Sequence, residues 1–327
     1  MNPEAILGRF PSLRALVAGD ICVDRWCTYD PAEAEPSRET GIPRIGVVKT
    51  EVTPGAGGTV ANNLAALGAG SIQVLGVTGD DGFAYELRQA LAARGIRPDL
   101  LVPVPGMQTF TYTKLLNAQT GQEDLPRVDW IQTEPLPAEV ERQVLDTLQQ
   151  RVDDFDVILI SDQAESRRGG VVTEAMRTLL ADLAPAYPEK IFWVDSRQRI
   201  HLFSQVILKP NEQEAAAACR QLCGRVDYAA LREHTASPLL VVTHGGAGVT
   251  LADRAGVRRI DTKQVENPVD ICGAGDSFSA GAALALAATG DPETAVRFGH
   301  LVASITIMKK GTGTASPAEV CDAYARG

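Results

Sequence analysis

Short apolar runs rich in β-branched residues alternate along this chain with longer stretches whose apolar residues recur every three or four positions. "ALVAGD", "IQVLGVTGD", "DVILISD", "KIFWVD", "VILKPNE" and "LLVVTHGG" each read as a buried strand ending in polar residues or glycine. Between them, "TVANNLAALGA", "FAYELRQALAARG", "PAEVERQVLDTLQQRV", "TEAMRTLLADLAPAY" and "NEQEAAAACRQL" carry the helical period. The alternation predicts an α/β fold, a doubly wound and mostly parallel sheet with helices on both faces. Ligands of such folds collect beyond the carboxyl ends of the strands. Asp20, Asp162, Asp195, Asn211 and Thr243 fall at those ends. Two segments, about 26–53 and 107–132, break the pattern with short alternating pieces such as "TFTYTKLL". They predict a small antiparallel β lid within a single domain spanning residues 1–327.

Composition narrows the function classes. The 327 residues are 45% hydrophobic and 22% charged, enough apolar material for a core without disulfide or metal staples. A net charge of -10 argues against non-specific binding to nucleic acid or to an anionic membrane, but not against a small anionic ligand. No apolar run approaches the ~20 residues of a membrane span, and the start lacks a signal-peptide pattern. The six cysteines have no paired zinc spacing, and Cys219 and Cys223 read as small buried residues on one helix face. With four scattered histidines, a histidine-built metal site is not expected, and a reduced cytoplasm is the expected compartment.

Candidate chemistry gathers in the glycine-rich stretches. "NPVDICGAGDSF", Asn267 to Phe278, runs into the apolar "SAGAALALAA". Gly273, Ala274 and Gly275 can aim consecutive N–H groups at one anion, and Asp276 can take a proton from an attacking hydroxyl. Phosphoryl transfer needs both, although a glycine turn with a capping aspartate fits the same letters. "PGAGGTVANNLAALGA" fails as a dinucleotide fingerprint, because Val60 holds its sixth position and Pro54 interrupts the preceding strand. It reads as a close backbone approach at Gly57 and Gly58, with Asn62 on the first helical turn suited to sugar hydroxyls; a plain loop-to-helix turn accounts for it equally well. In "KPNEQE", Asn211 and Glu214 read first as a capping box, and second as a carboxylate serving Mg²⁺. Thr243, Gly245 and Gly248 in "VVTHGGAGV" form either a loop against phosphates or a hairpin turn.

The order of these elements over nearly the whole chain resembles the ribokinase-like, or PfkB, family of carbohydrate kinases. The resemblance implies a ribokinase-like fold and transfer of the γ-phosphoryl group of ATP to a hydroxyl of a sugar or sugar phosphate. It implies Asp276 as catalytic base and Gly273, Ala274 and Gly275 as its anion hole. Asp24, Gly57, Gly58 and Asn62 would bind the sugar. Asn211, Thr243, Gly245, Gly248 and Gly275 would bind ATP, with Glu214 serving Mg²⁺ through water and Asp270 a monovalent cation such as K⁺.

Within the family, "GDICVDRW", "TYTKLL…RVDW" and "KKGTGTASPAEV" are similar to kinases of D-glycero-β-D-manno-heptose 7-phosphate. A phosphorylated substrate wants cations, and Arg25, Lys49, Lys114 and Arg127 fall in or near the lid; a solvated lid face is the alternative. The chain departs from the heptose pattern at Gln163 and Glu165, where a tyrosine and a basic residue are usual. It departs again at Ile271, Cys272, His300 and Ala315. These departures touch the sugar and the monovalent cation rather than the base. The nucleotidyl-transferring domain that some heptose kinases carry is absent from the sequence. Other readings are a family kinase of another small hydroxyl compound and a non-catalytic sugar or nucleotide sensor. The exposed edge of the lid offers a surface for a homodimer.

Overall fold

Along the strand Arg14–Gly19 (β1), Ala15 and Val17 enter one hydrophobic cluster while Leu16 and Ala18 enter another, and all four are fully buried. This period of two, with both faces covered, is what a central strand of a parallel sheet requires. The computed structural model describes residues 1–164, 166 and 168–326. The strands that follow are β2 (Ile21–Tyr29), β3 (Val47–Ala56), β4 (Ser71–Gly79), β5 (Arg97–Val104), β6 (Thr111–Asn117) and β7 (Val128–Trp130). After them come β8 (Val157–Asp162), β9 (Ile191–Ser196), β10 (Ile207–Leu208), β11 (Leu240–Thr243), β12 (Val249–Asp253) and β13 (Gly256–Ile260).

The larger sheet has the order β13-β12-β11-β10-β9-β8-β1-β4-β5. It is parallel from β5 to β11, and β12 and β13 complete it as antiparallel pairs. The helices Gly57–Ala66, Gly82–Ala92, Ala274–Thr289 and Pro292–Thr306 cover one face, and Ala138–Arg151, Glu174–Ala186 and Glu212–Cys223 the other. Helix Ala274–Thr289 lies almost wholly in the core against Pro292–Thr306. A Cβ on Gly281 would stand 2.9 Å from Val302, and one on Gly299 would stand 2.8 Å from the Cβ of Ala282, so small residues set this close contact.

Several expectations change. The "VILKPNE" strand shrinks to two residues, because Pro210 has no N–H for the ladder and Asn211 caps the next helix. β5, with two prolines, is an edge strand, where missing donors are tolerated. Pro54 does not interrupt β3 for the same reason: the strand is an edge of the smaller sheet and pairs through it with Val23. That sheet, β3-β2-β6-β7, is mixed rather than antiparallel. β2 pairs antiparallel with β3 but parallel with β6, because the chain returns to β6 only after crossing through the larger sheet. The smaller sheet also begins at Ile21, one residue after β1 and Asp20.

Asp20 joins the two sheets. Its carboxylate is buried and accepts from the N–H groups of Gln163 (2.8 Å), Ala164 (2.9 Å) and Val171 (2.8 Å). It is a structural clamp at a strand end. Asp20→Ala strands three buried donors and is expected to cost about 3 kcal/mol or more. A urea unfolding midpoint that stays within error of wild type would refute the clamp.

Candidate active site

Beyond the carboxyl ends of β8, β9, β10 and β11 the chain leaves a cleft of about 710 Å³, bounded by the N-terminus of helix Ala274–Thr289. A second cavity of about 120 Å³ lies between that N-terminus and the smaller sheet. Among the described residues, four belong to the walls of both: Gln163, Arg197, Gly273 and Asp276. Asp276 therefore stands where the two cavities meet.

The turn before it is built from backbone. Gly273 is the helix N-cap at φ +77°, a left-handed conformation that favours glycine, and a Cβ there would press on Thr59 and Thr312 at 3.3 Å. Asp270 accepts from the N–H of Cys272 (2.9 Å) and of Gly311 (3.0 Å), tying the turn to the loop after helix Pro292–Thr306. Asp276, in the first helical turn, is not the cap. Burial, then the neighbouring Asp195, push its carboxyl up to about 7, against the opposing pull of Lys209 and Arg197.

Lys209 directly follows β10, is 3% exposed and forms an ion pair with Asp195. Burial pulls its pKa down, but Asp195, Glu214 and Asp276 outweigh it, so the ammonium stays charged. Its Nζ lies 3.2 Å from where a Cβ on Gly275 would stand, so the missing side chain lets this cation reach the turn.

Asn211 and Glu214 form the capping box in full. The Asn211 side chain accepts from the Glu214 N–H at 2.9 Å, and Glu214 Oε2 accepts from the Asn211 N–H at 2.7 Å. Both also line the larger cleft, as do Thr243, Gly245 and Gly248. Burial, then Asp195, raise Glu214 to about 7. The glycine loop is at once a hairpin connection between β11 and β12 and a wall of the cleft. His300 borders the cleft and is held by the carbonyl of Lys263 at 2.9 Å.

The smaller cavity takes Asp24 from β2, at about 6 because burial outweighs Lys114 and Arg127. Lys114 sits 4.5 Å over the Trp26 ring and Arg127 4.7 Å over Tyr112, and all four residues line the cavity. Arg25 also borders it, paired with Glu86 at 3.0 Å. Lys49 pairs with Glu51 on the exposed lid face, outside both walls.

Gly57, Gly58 and Asn62 line neither cavity. Their helix begins at Gly57, so Thr59 occupies the first turn and borders the smaller cavity, while Asn62 falls in the second. The glycines answer to packing: a Cβ on Gly57 would meet Ile21 at 2.7 Å, and one on Gly58 would meet Pro54 at 2.6 Å. Thr59, Lys209 and Arg197 are wall residues that the pattern analysis passed over. Lys209 and Arg197 directly follow β10 and β9, so the rule that singled out Asp195 would have found them. Glu165 lies outside the described residues, and Ala315 is fully buried in the core.

The sequence profile of pfkB family carbohydrate kinases matches residues 21–319. The chain belongs to the pfkB family. Among curated relatives, the bifunctional protein HldE of Pelobacter propionicus is 30% identical over 330 residues, covering 98% of this chain and 65% of its own length. HldE of Rhodopseudomonas palustris strain HaA2 is 28% identical, with the same coverages. The chain thus spans about 65% of the length of these relatives. Among solved structures, Thermotoga maritima ribokinase superposes with a TM-score of 0.68 at 20% identity, over 96% of this chain and 100% of that one. Escherichia coli phosphofructokinase-2, in complex with potassium, gives 0.70 at 18%, over 96% and 99%. The fold is ribokinase-like.

A base must be ionised to accept a proton, so activity is lost as pH falls through its pKa. With Asp276 as the base, the acid limb of kcat/KM is expected near pH 7. Lys209→Met removes a cation that lowers the Asp276 pKa and should move that limb up by about one pH unit. A downward or absent shift in the pH–rate profile would contradict the electrostatic assignment.

Proposed function

We propose that this chain transfers the γ-phosphoryl group of ATP to a hydroxyl of a sugar that already carries a phosphate, with heptose 7-phosphate as the best fit. One observation carries the reading: Asp276 and its glycine turn are common to a large cleft and to a small cavity rich in cations. The donor phosphates take the first and the sugar takes the second. Arabidopsis thaliana ribokinase complexed with ribose and ATP, at TM-score 0.68 and 18% identity, supports ATP as donor. The stretches similar to heptose 7-phosphate kinases support the acceptor. They supply Asp24, Trp26, Tyr112, Lys114, Arg127 and Thr312, all on the wall of the smaller cavity.

In the transfer, Asp276 accepts the hydroxyl proton as the hydroxyl oxygen bonds to the γ-phosphorus. The bond from that phosphorus to the bridging oxygen breaks, and its electron pair leaves with the diphosphate. The N–H groups of the Gly273–Gly275 turn and the ammonium of Lys209 hold the migrating charge. Asn211, Thr243, Gly245 and Gly248 line the nucleotide. Mg²⁺ fits the donor set: Glu214 and Asn211 offer hard oxygens, and the crowded, half-buried Glu214 carboxylate gains from a nearby cation. When bound, Mg²⁺ neutralises charge on the donor's phosphates. Asp270 carries the expectation of K⁺ dependence through the backbone it organises.

The test is ADP release with Mg·ATP against sugars and sugar phosphates, with and without K⁺, beside Asp276→Asn. Turnover of heptose 7-phosphate, with kcat of the variant lowered by roughly 10³–10⁵, is the expected result. Turnover of another sugar keeps the kinase and replaces the acceptor. Silence across the panel with ATP still bound favours a sensor. The proposal includes a homodimer through the edge strand β3, whose Val47 and Val48 are exposed, and light scattering is expected to give twice the chain mass.

A further inference from the structure

The wall shared by the two cavities contains two residues that neither the base nor the anion hole accounts for. They are Arg197, directly after β9, and Gln163, directly after β8. The two are bonded: Arg197 Nε donates to Gln163 Oε1 at 2.7 Å. Gln163 is 6% exposed, a buried amide whose oxygen is one of the groups that orient the Arg197 side chain.

Among the described residues, the other cations divide between the cavities. Lys209 lines only the larger one, while Arg25, Lys114 and Arg127 line only the smaller. A phosphoryl group leaving the donor for the acceptor passes from the reach of Lys209 to that of the lid cations. The carboxylates of Asp195, Glu214 and Asp276 stand close to that path, and Arg197 is the one lysine or arginine on both of the described walls.

We infer that Arg197 is a catalytic residue that contacts the phosphoryl group during its transfer, and that Gln163 is its positioning residue. The inference rests on the reading that donor phosphates occupy the larger cavity and the sugar the smaller. Between its two partners the migrating group is only loosely bonded and its charge is spread over three equatorial oxygens, and a planar guanidinium with several donors can follow them from one partner to the other. Arg197 thereby stabilises the transition state more than either bound substrate, so its loss belongs in kcat rather than in KM. The bonds formed and broken, and the proton passed to Asp276, are those of the transfer itself.

The experiment measures kcat and both KM values for Arg197→Met, Arg197→Lys, Gln163→Ala and Gln163→Glu, with the sugar that wild type phosphorylates. Calorimetry of ATP binding is run on each protein. Arg197→Met is expected to lower kcat about 10²–10³-fold, with ATP affinity and the sugar KM within about threefold of wild type. Arg197→Lys should recover part of that loss. Gln163→Ala should lower kcat about tenfold with KM unchanged, and Gln163→Glu, which keeps an acceptor for Nε, should recover most of it. An Arg197→Met kcat within threefold of wild type, or a loss confined to KM, overturns the inference while leaving the kinase reading intact. Wild-type protein that binds no ATP overturns the cavity assignment and this inference with it.

Discussion

Lys209 and Asp195 meet where β9 and β10 end, both almost closed off from water, and their pairing sets the electrostatics of everything around them. Taking two charges out of water is costly, and mutual attraction offsets that cost only when both partners are held in place. Here the strand ends hold them. Without the ammonium, Asp195, Glu214 and Asp276 would crowd three carboxylates into one region, and burial already lifts Glu214 and Asp276 to about 7. That elevation suits a base working near neutrality: it remains ionised at slightly alkaline pH yet holds a proton firmly enough to take it from a hydroxyl. The missing side chain at Gly275 is part of the same arrangement, since any Cβ there would press on the Lys209 ammonium.

Around this centre the fold ties the larger sheet to the smaller one at several points. Asp20 gathers three N–H groups at the hinge between β1 and β2. Asp270 fastens the turn of the helix N-terminus to Gly311, where a Cβ would stand 3.5 Å from the Trp26 ring, so the turn and the lid share a boundary. Lys310 reaches the carbonyl of Gly121 in the lid at 3.2 Å. Asp276 thus sits on a helix that is almost wholly buried, while most of the groups across the smaller cavity come from strands of a separate, smaller sheet. On the proposed reading, the base and the groups that recognise the acceptor are carried by different elements, so one can vary without the other.

Much of this was legible in the one-dimensional pattern, for local reasons. Continuous β-branched runs mark strands buried on both faces, and period-3.6 apolar spacing marks helices with one buried face, so the α/β architecture and most strands and helices follow from short windows of sequence. The Gly-Ala-Gly-Asp turn and the Asn211–Glu214 box are also local, because their hydrogen bonds close within a few residues. Weak local signals hid β5 with its prolines and the β12–β13 hairpin, whereas helices Pro292–Thr306 and Pro317–Ala325, capped by Asp291 and Ser316 with proline at the first position, were legible but not read.

Only the tertiary structure decided which side chains share a wall. Asn62 and Thr59 lie three residues apart, and the starting point of one helix, set by Gly57 packing on Ile21, determines that Thr59 borders the cavity. Lys209, Arg197 and Gln163 come from three strand ends and meet because β8, β9 and β10 lie side by side in the sheet. The parallel pairing of β2 with β6 likewise depends on a crossover no short window contains. The sequence by itself determined the alternation of elements, the Gly-Ala-Gly turn and its aspartate, because those depend on neighbours along the chain. The walls of the cavities, and the charges that face the aspartate across them, depend on strand order, and so belong to the fold.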